Sequence, residues 1–81
     1  MKKNWAVYIL ECRDGTLYTG VTNDIGRRMA MHAEGRGAKY VRARGFCRLL
    51  YVEPAQNKSA AMVREAEIKK LKRDQKFSLF R

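Results

Sequence analysis

The stretch that decides the fold is residues 5–22, which read WAVYILECRDGTLYTGVT. Residues 5–12 form an apolar run rich in aromatic and β-branched side chains, a composition typical of a β-strand. Arg13-Asp14-Gly15 is a turn signal, and residues 16–22 have the composition of a second strand. Residues 5–22 are therefore predicted to form a β-hairpin.

The length of the turn decides which side chains share a face of this hairpin. A two-residue turn would place Tyr8 and Tyr18 on opposite faces. A three-residue loop, residues 13–15 with Gly15 in the left-handed conformation, would pair Tyr8 with Gly20. Both tyrosines would then lie on one face, with open space at Gly20. Both loop types are common, and we predict the three-residue loop.

The segment after the hairpin predicts a helix that begins at an Asn23-Asp24 cap and ends at Gly35. At 100° per residue, His32 falls inside the apolar stripe of this helix, and Arg28 lies at its edge. The apolar members of the stripe are Ile25, Met29 and Ala33.

Residues 36–45 contain two glycines and four basic side chains around Tyr40. This composition predicts a basic loop, with a helical turn near Tyr40 as an option. Residues 46–53 then predict a third strand, which we expect to end at Pro54.

A second helix is predicted to begin at a cap formed by Asn57 or Ser59 and to run to about Lys72. The tail, residues 77–80, is apolar enough to pack back onto the body. The order β-β-α-β-α predicts an α+β fold with a three-stranded, mainly antiparallel sheet packed by helices. We expect residues 1–81 to form a single small domain.

The charge of the chain indicates its kind of partner. Eighteen Lys and Arg against eight Asp and Glu give a formal net charge of +10. A polyanion is the natural partner, and nucleic acid is the commonest one. The alternative is a solvated basic surface without a specific partner. A membrane partner is not expected, since no helix combines a broad aromatic face with a basic one.

The cysteines and the N-terminus indicate the compartment. Cys12 and Cys47 have no second ligand at metal-binding spacing, so we expect free buried thiols and a reducing environment. The first apolar stretch is soon interrupted by Glu11 and Arg13, too early for a signal peptide or a membrane span. The protein is therefore predicted to be soluble and cytoplasmic.

Among the acidic residues, Glu65 is the one that local structure does not explain. On the second helix it projects between Ala61 and Ile68 on one side and Met62 on the other, so it faces the body. A carboxylate aimed at an apolar layer is unfavourable unless a cation or a hydrogen-bond donor meets it. A salt bridge to an arginine and a metal ion both satisfy that requirement.

Arg28 and His32, one helical turn apart, are a second candidate pair. Arginine offers a planar fork for a phosphate, and histidine can donate to a phosphate oxygen or move a proton. The alternative is a surface arginine beside a partly buried histidine. Tyr8 and Tyr18 could likewise serve packing alone, and the basic residues could form an ordinary solvated loop.

Taken together, these segments resemble the GIY-YIG nuclease family. Residues 7–10 (VYIL) and 17–22 (LYTGVT) are similar to its two tyrosine motifs, and residues 27–32 (RRMAMH) to its helix bearing Arg-x-x-x-His. Residues 60–69 (AAMVREAEIK) resemble the helix that carries its metal-binding glutamate. The first motif departs from the family pattern, since it has Ala and Val before the retained tyrosine. The resemblance covers essentially the whole chain and is closest to small stand-alone bacterial members.

The resemblance implies a metal-dependent endonuclease that hydrolyses phosphodiester bonds, with DNA as substrate and DNA repair or recombination as its setting. One divalent ion, Mg²⁺ or Mn²⁺, would be held by Glu65 with waters and a phosphate oxygen. Tyr8 would take a proton from the attacking water, after the metal or Arg28 has lowered its pKa. Tyr18 would hydrogen-bond the phosphate or share the role of base.

The resemblance also implies roles for the neighbouring residues. Arg28 would bind the scissile phosphate, and His32 would orient a tyrosine or a phosphate oxygen. Gly20 would leave the sheet open to the substrate backbone. Flanking nucleic acid would be bound by the basic loop: Arg36, Lys39, Tyr40, Arg42 and Arg44.

Two rival functions fit the same sequence. One is a catalytically silent nucleic-acid-binding module, and the other is a subunit whose activity needs a protein partner that supplies specificity. The structure of the nucleic acid and the oligomeric state are left open by the sequence.

Overall fold

The computed structural model describes residues 4–81. Over that range the chain forms three strands and four helices: β1 (Trp5–Cys12), β2 (Leu17–Thr22), α1 (Ile25–Ala33), α2 (Lys39–Arg44), β3 (Phe46–Ala55), α3 (Lys58–Lys69) and α4 (Arg73–Phe77). The sheet order is β2-β1-β3 with both pairings antiparallel, so the strand richest in apolar residues is central. The predicted α+β class and three-stranded antiparallel sheet are confirmed.

The hairpin has the predicted three-residue loop. Tyr8 pairs with Gly20 and Leu10 with Tyr18. Gly15 has φ of +85°, a left-handed conformation that glycine adopts without steric penalty, and its N–H donates to the Cys12 carbonyl at 2.9 Å. Tyr8 and Tyr18 therefore lie on the same face of the sheet.

The central strand separates two apolar layers. Val7 and Ile9 pack against Ala61 and Ile68 of α3, and all four are fully buried. Alternate side chains of β1 point to the opposite face, where they pack with α1 and α2. Those side chains are Tyr8, Leu10 and Cys12, with Val41 of α2. The tail also packs as predicted, since Leu79 and Phe80 contact the layer under α3.

The third strand is longer than predicted. It continues through Pro54, which pairs with Ala6, and ends at Ala55. Because β3 lies at the sheet edge, its backbone N–H groups form a ladder with only one neighbour, and a proline is tolerated there. The prediction that Pro54 ends the strand was wrong for this reason.

Helix α1 begins at an Asp24 cap, whose side chain accepts from the Arg27 N–H at 3.1 Å. Its stripe differs from the prediction at one position, because Ala33 is exposed while His32 is buried. His32 is the last but one residue of α1, and Ala33, about 100° further round the helix, points to solvent.

The segment predicted as a basic loop contains a full helix, α2, because Val41 buries its side chain against the sheet. Asn57, and not Ser59, caps α3, which ends at Lys69 and so before the predicted Lys72. The Lys72 N–H then bonds the Gln75 side chain at 2.8 Å and starts α4, which was not predicted.

Cys12 is buried as expected, whereas Cys47 is exposed on the edge strand. Both are free thiols. Among the helices of residues 4–81, none is long and apolar enough to span a membrane.

Candidate active site

A buried hydrogen bond joins β1 to α1 at the middle of the sheet. The Tyr8 hydroxyl lies 2.9 Å from Nε2 of His32, and the two residues are 1% and 3% exposed. A hydrogen bond of this length inside the core fixes both rings. His32 therefore contacts one of the two predicted tyrosines directly.

Two residues that the sequence did not single out enclose the His32 ring. Phe46 stacks on it with ring centroids 6.3 Å apart, and Gly37 lies so close that a Cβ there would collide with Nδ1. Nδ1 is buried with no hydrogen-bond partner within residues 4–81. Two glycines occur in residues 36–45, and nothing in the sequence marks which of them approaches a ring.

The surroundings keep His32 neutral. Burial lowers the pKa of its imidazole, and the positive charge of Arg28 lowers it further. A neutral imidazole has one acceptor nitrogen, and in the tautomer with the ring proton on Nδ1 it is Nε2 that accepts from the Tyr8 hydroxyl. This tautomer matches a site in which the tyrosine is the donor.

The stability of the protein should therefore decrease as the pH falls below the usual histidine pKa of 6.5. Because His32 has a lowered pKa only when folded, the unfolded chain binds its proton first and is favoured at lower pH. His32 is the only histidine of the chain, so His32→Gln should remove this dependence. Urea unfolding at pH 5 and pH 7 measures it, and an equal pH dependence in both proteins would contradict it.

The second tyrosine lies beside this pair. The Tyr18 ring centroid is 6.3 Å from that of Tyr8 and 5.9 Å from that of His32. Tyr40 of α2 stacks on the outer side of Tyr18 at 5.8 Å, and the Arg44 guanidinium lies 3.9 Å above the Tyr40 ring. Helix α2 thus contributes an aromatic contact to the site as well as basic charge.

Arg28 and Glu65 act on both tyrosines through their charges. Burial raises the pKa of Tyr8 strongly, with further increases from Tyr18 and Glu65 that Arg28 only partly offsets. The pKa of Tyr18 is raised by burial and Glu65 and lowered by Arg28. Arg28 lowers the Tyr8 pKa as expected, but burial outweighs it, so Arg28 alone does not make Tyr8 a better base.

Arg28 also lines a small cleft at the start of α1. The cleft has a volume of about 180 Å³; its other lining residues are Thr22, Asn23, Asp24, Arg27 and Met31. With two arginines in its wall, the cleft can accept an anionic oxygen.

Glu65 is half-buried, as the sequence predicted, with 18% of its side chain exposed. Its cation is Lys69, at 3.5 Å, in place of the arginine considered from the sequence. Arg64 anchors α3 next to it, because its guanidinium binds both oxygens of Glu53, and Glu53 in turn accepts from the Tyr51 hydroxyl. This clamp, which the sequence did not reveal, fixes the helix that carries Glu65.

The surroundings of Glu65 fit one hard divalent ion. Its carboxylate supplies the oxygen ligands that Mg²⁺ prefers, and a half-exposed pair one helical turn apart is weak enough to be displaced. No group of three or more His, Cys, Asp or Glu side chains gathers within residues 4–81. Mg²⁺ is commonly held by one or two carboxylates with waters and substrate phosphates, which suits this arrangement.

The space beside Gly20 is not open, contrary to the prediction. A Cβ at this position would lie 2.5 Å from the Tyr8 hydroxyl and 3.0 Å from Cε2 of Tyr18. The Tyr8 ring lies flat across its cross-strand neighbour and fills the space. Glycine is therefore required here by the tyrosine, and no substrate backbone enters at this point.

For the nuclease activity that the family resemblance implies, Gly20→Ala should reduce the cleavage rate by about a hundredfold, because a displacement of about 1 Å at a reacting group has effects of that order. The added methyl group must push Tyr8 away from His32. Cleavage rates of the purified variant measure the effect, with Gly26→Ala as the control, since a Cβ there meets nothing closer than 4.0 Å. Equal activity of the two variants would contradict this role of Gly20.

The predicted nucleic-acid-binding residues differ in their ion pairs and in their contact with the tyrosines. Arg36 pairs with Glu34 at 3.5 Å, and Arg44 pairs with Asp14 at 3.2 Å. Lys39 and Arg42 are exposed on α2. Of this set, the structure brings Tyr40 and Arg44 to the tyrosine cluster and leaves the others at the surface.

The family is shown by comparison with known proteins. Residues 4–78 match the GIY-YIG catalytic domain. The chain therefore belongs to the GIY-YIG family. It is 51% identical over 79 residues to UPF0213 protein OB0043 of Oceanobacillus iheyensis, covering 98% of this chain and 92% of that protein. UPF0213 protein VNG_2274C of Halobacterium salinarum is 53% identical, with 91% and 96% covered.

Two solved structures have the same fold. The solution NMR structure of UPF0213 protein BH0048 from Bacillus halodurans is 50% identical with a TM-score of 0.58, over 94% of this chain and 81% of that one. The solution NMR structure of EF2693 from E. faecalis is 34% identical with a TM-score of 0.63, over 98% and 88%.

Proposed function

We propose that this chain, as a single domain over residues 1–81, is a divalent-metal-dependent endonuclease that hydrolyses phosphodiester bonds of DNA. The observation that carries the proposal is the buried hydrogen bond between Tyr8 and His32, with Tyr18 against both rings. A hydroxyl donating to a neutral imidazole is arranged for proton transfer. A family-level resemblance alone would not assign this activity.

Glu65 would hold one Mg²⁺ or Mn²⁺ ion, which when bound supplies positive charge to the phosphate and its leaving oxygen. Arg28 would bind a non-bridging oxygen of the scissile phosphate and offset the charge that develops there. Its cleft with Arg27 has room for the adjacent phosphate.

Tyr8 and His32 would move the proton. The Tyr8 hydroxyl would pass its proton to Nε2 of His32 as the attacking water passes a proton to the Tyr8 oxygen, so that no separate phenolate forms against the raised pKa of Tyr8. The water oxygen forms the new bond to phosphorus as the bond to the leaving nucleotide oxygen breaks, and the leaving oxygen takes a proton from solvent water. Tyr18 would hydrogen-bond the phosphate, since it lies within ring contact of Tyr8 and feels both Arg28 and Glu65.

The test is cleavage of labelled single-stranded, duplex and branched DNA with Mg²⁺ or Mn²⁺, with EDTA as the control. Metal-dependent products from any of these substrates are expected. Their absence from all three, with binding retained, would exclude the isolated chain as a nuclease.

One observation favours a second candidate, a nucleic-acid-binding subunit activated by a partner. Burial raises the pKa of Tyr8 in the free chain, so Tyr8 remains protonated until a further positive charge approaches it or its burial changes. A protein partner that also supplies specificity could provide that change. Activity that appears only when the partner is added would identify this case. For either candidate we propose a cytoplasmic role in DNA repair or recombination.

A further inference from the structure

The last helix carries a cleft that the proposed active site does not use. This C-terminal cleft, of about 440 Å³, is lined by Arg73, Asp74, Phe77, Ser78 and Arg81. Two guanidinium groups contact its aromatic ring: Arg81 Cζ lies 4.3 Å and Arg73 Cζ 5.1 Å from the Phe77 centroid. A guanidinium stacked on a ring keeps N–H groups at its edge for an anion.

The C-terminal cleft is part of a larger basic surface. Arg73 also lines a second cleft of about 200 Å³ with Lys76, Thr16 and Leu17. Residues 69–81 contain six Lys or Arg and one acidic residue. A surface of this charge density recruits a polyanion. The Asp74 carboxylate repels a small anion that binds inside the cleft. A polyanion that runs along the surface contacts Arg73, Lys76 and Arg81 together, so the attraction of these three cations outweighs that repulsion.

The β1–β2 turn connects this surface to α2. Arg73 Nη1 donates to the Gly15 carbonyl at 2.6 Å, and Arg44 pairs with the adjacent Asp14 at 3.2 Å. The Arg13 N–H also donates to the Gly45 carbonyl at 3.0 Å. The turn therefore holds one basic group on each side of it, with α2 on one side and the C-terminal cleft on the other.

The turn is also close to the tyrosine cluster. Tyr18 is three residues from Gly15 along β2, a distance of about 10 Å at the rise of a strand. The cleft begins where Arg73 meets the turn, so its near end lies at about this distance from Tyr18. Nucleic acid rises about 3.4 Å per base pair, so a duplex that reaches from Tyr18 to the turn spans about three base pairs.

We propose that the C-terminal cleft is a second nucleic-acid contact, which takes backbone phosphates of a duplex flank more than about three base pairs from the cleaved bond. The inference rests on the proposed function for the position of that bond. It defines the substrate class further: nucleic acid with a flank long enough to pass the β1–β2 turn and reach Arg73, Lys76 and Arg81.

Binding of duplex DNA to Glu65→Gln protein tests this without cleavage. In that background, Lys76→Gln/Arg81→Gln should weaken a duplex with flanks of about 12 base pairs about tenfold, and the slope of log affinity against log salt should decrease by about 1.8. A duplex with flanks of about three base pairs should bind as before. Neither substituted side chain has a hydrogen bond to the rest of residues 4–81, and thermal unfolding verifies the fold.

Arg48→Gln/Lys58→Gln is the matched control, since it removes the same charge from β3 and the start of α3. Equal weakening by the two double variants, or equal loss on both duplex lengths, would overturn the inference. Because binding is measured, the outcomes stay separable. If the wild-type protein cleaves DNA but the two double variants weaken binding equally, only the proposal for the C-terminal cleft is rejected. If the cleft variant weakens binding only to the long duplex but the wild-type protein does not cleave DNA, only the nuclease proposal is rejected.

Discussion

Glu65→Gln should reduce metal-dependent cleavage by about a thousandfold and leave the affinity for DNA close to that of the wild type. The amide keeps the size of the side chain but removes the negative charge that would hold the ion, and removal of a single electrostatic stabiliser has effects of this order. Steady-state cleavage with Mg²⁺ and fluorescence anisotropy of the same labelled duplex measure the two quantities.

Glu67→Gln is the matched control for Glu65. Glu67 lies on the same helix, has 60% of its side chain exposed and contacts Arg64 at 3.3 Å. Its substitution removes the same charge from α3 and should change the rate less than about twofold, because exposed ion pairs contribute little. If both variants cleave at the wild-type rate, the ion is held elsewhere.

Tyr8→Phe should lower the cleavage rate by about a thousandfold, which is within the range for loss of a general base. The substitution removes the hydroxyl that bonds Nε2 of His32 at 2.9 Å and keeps the ring above Gly20. The free energy of unfolding should decrease by about 1 to 3 kcal/mol, because the buried Nε2 of His32 loses its partner. Single-turnover cleavage and urea unfolding separate these effects.

Tyr40→Phe is the control for Tyr8. Its ring can still stack on Tyr18 at 5.8 Å and beneath Arg44, so only an exposed hydroxyl is lost. Its rate should remain within about threefold of wild type. Similar losses in the two variants would reject Tyr8 as the base and point to the α2 contact with Tyr18.

Local chemistry was sufficient for much of the fold. The turn residues 13–15 allowed two hairpin registers, and the predicted three-residue loop forms with Gly15 left-handed. A cap was predicted for α1 at residues 23–24 and for α3 at Asn57 or Ser59. The caps are Asp24 and Asn57, whose side chains accept hydrogen bonds from free backbone N–H groups of the first turn. The position of His32 on the inward face of α1 followed from periodicity, whereas the shared face of Tyr8 and Tyr18 depended on the choice of loop.

Other features depended on contacts between distant segments. Pro54 lies within a strand because β3 is at the sheet edge, and α2 forms because Val41 finds a buried position. Neither condition is visible in a short window of sequence.

The sequence by itself determined which side chains are available and which face of its own element each occupies, because local dihedral preferences and periodicity act within a few residues. Only the tertiary structure decided that Gly20 is covered by the Tyr8 ring, that burial raises the pKa of Tyr8 despite Arg28, and that Glu65 pairs with Lys69. Packing and desolvation depend on every neighbour that surrounds a group, and those neighbours come from segments far apart in the chain.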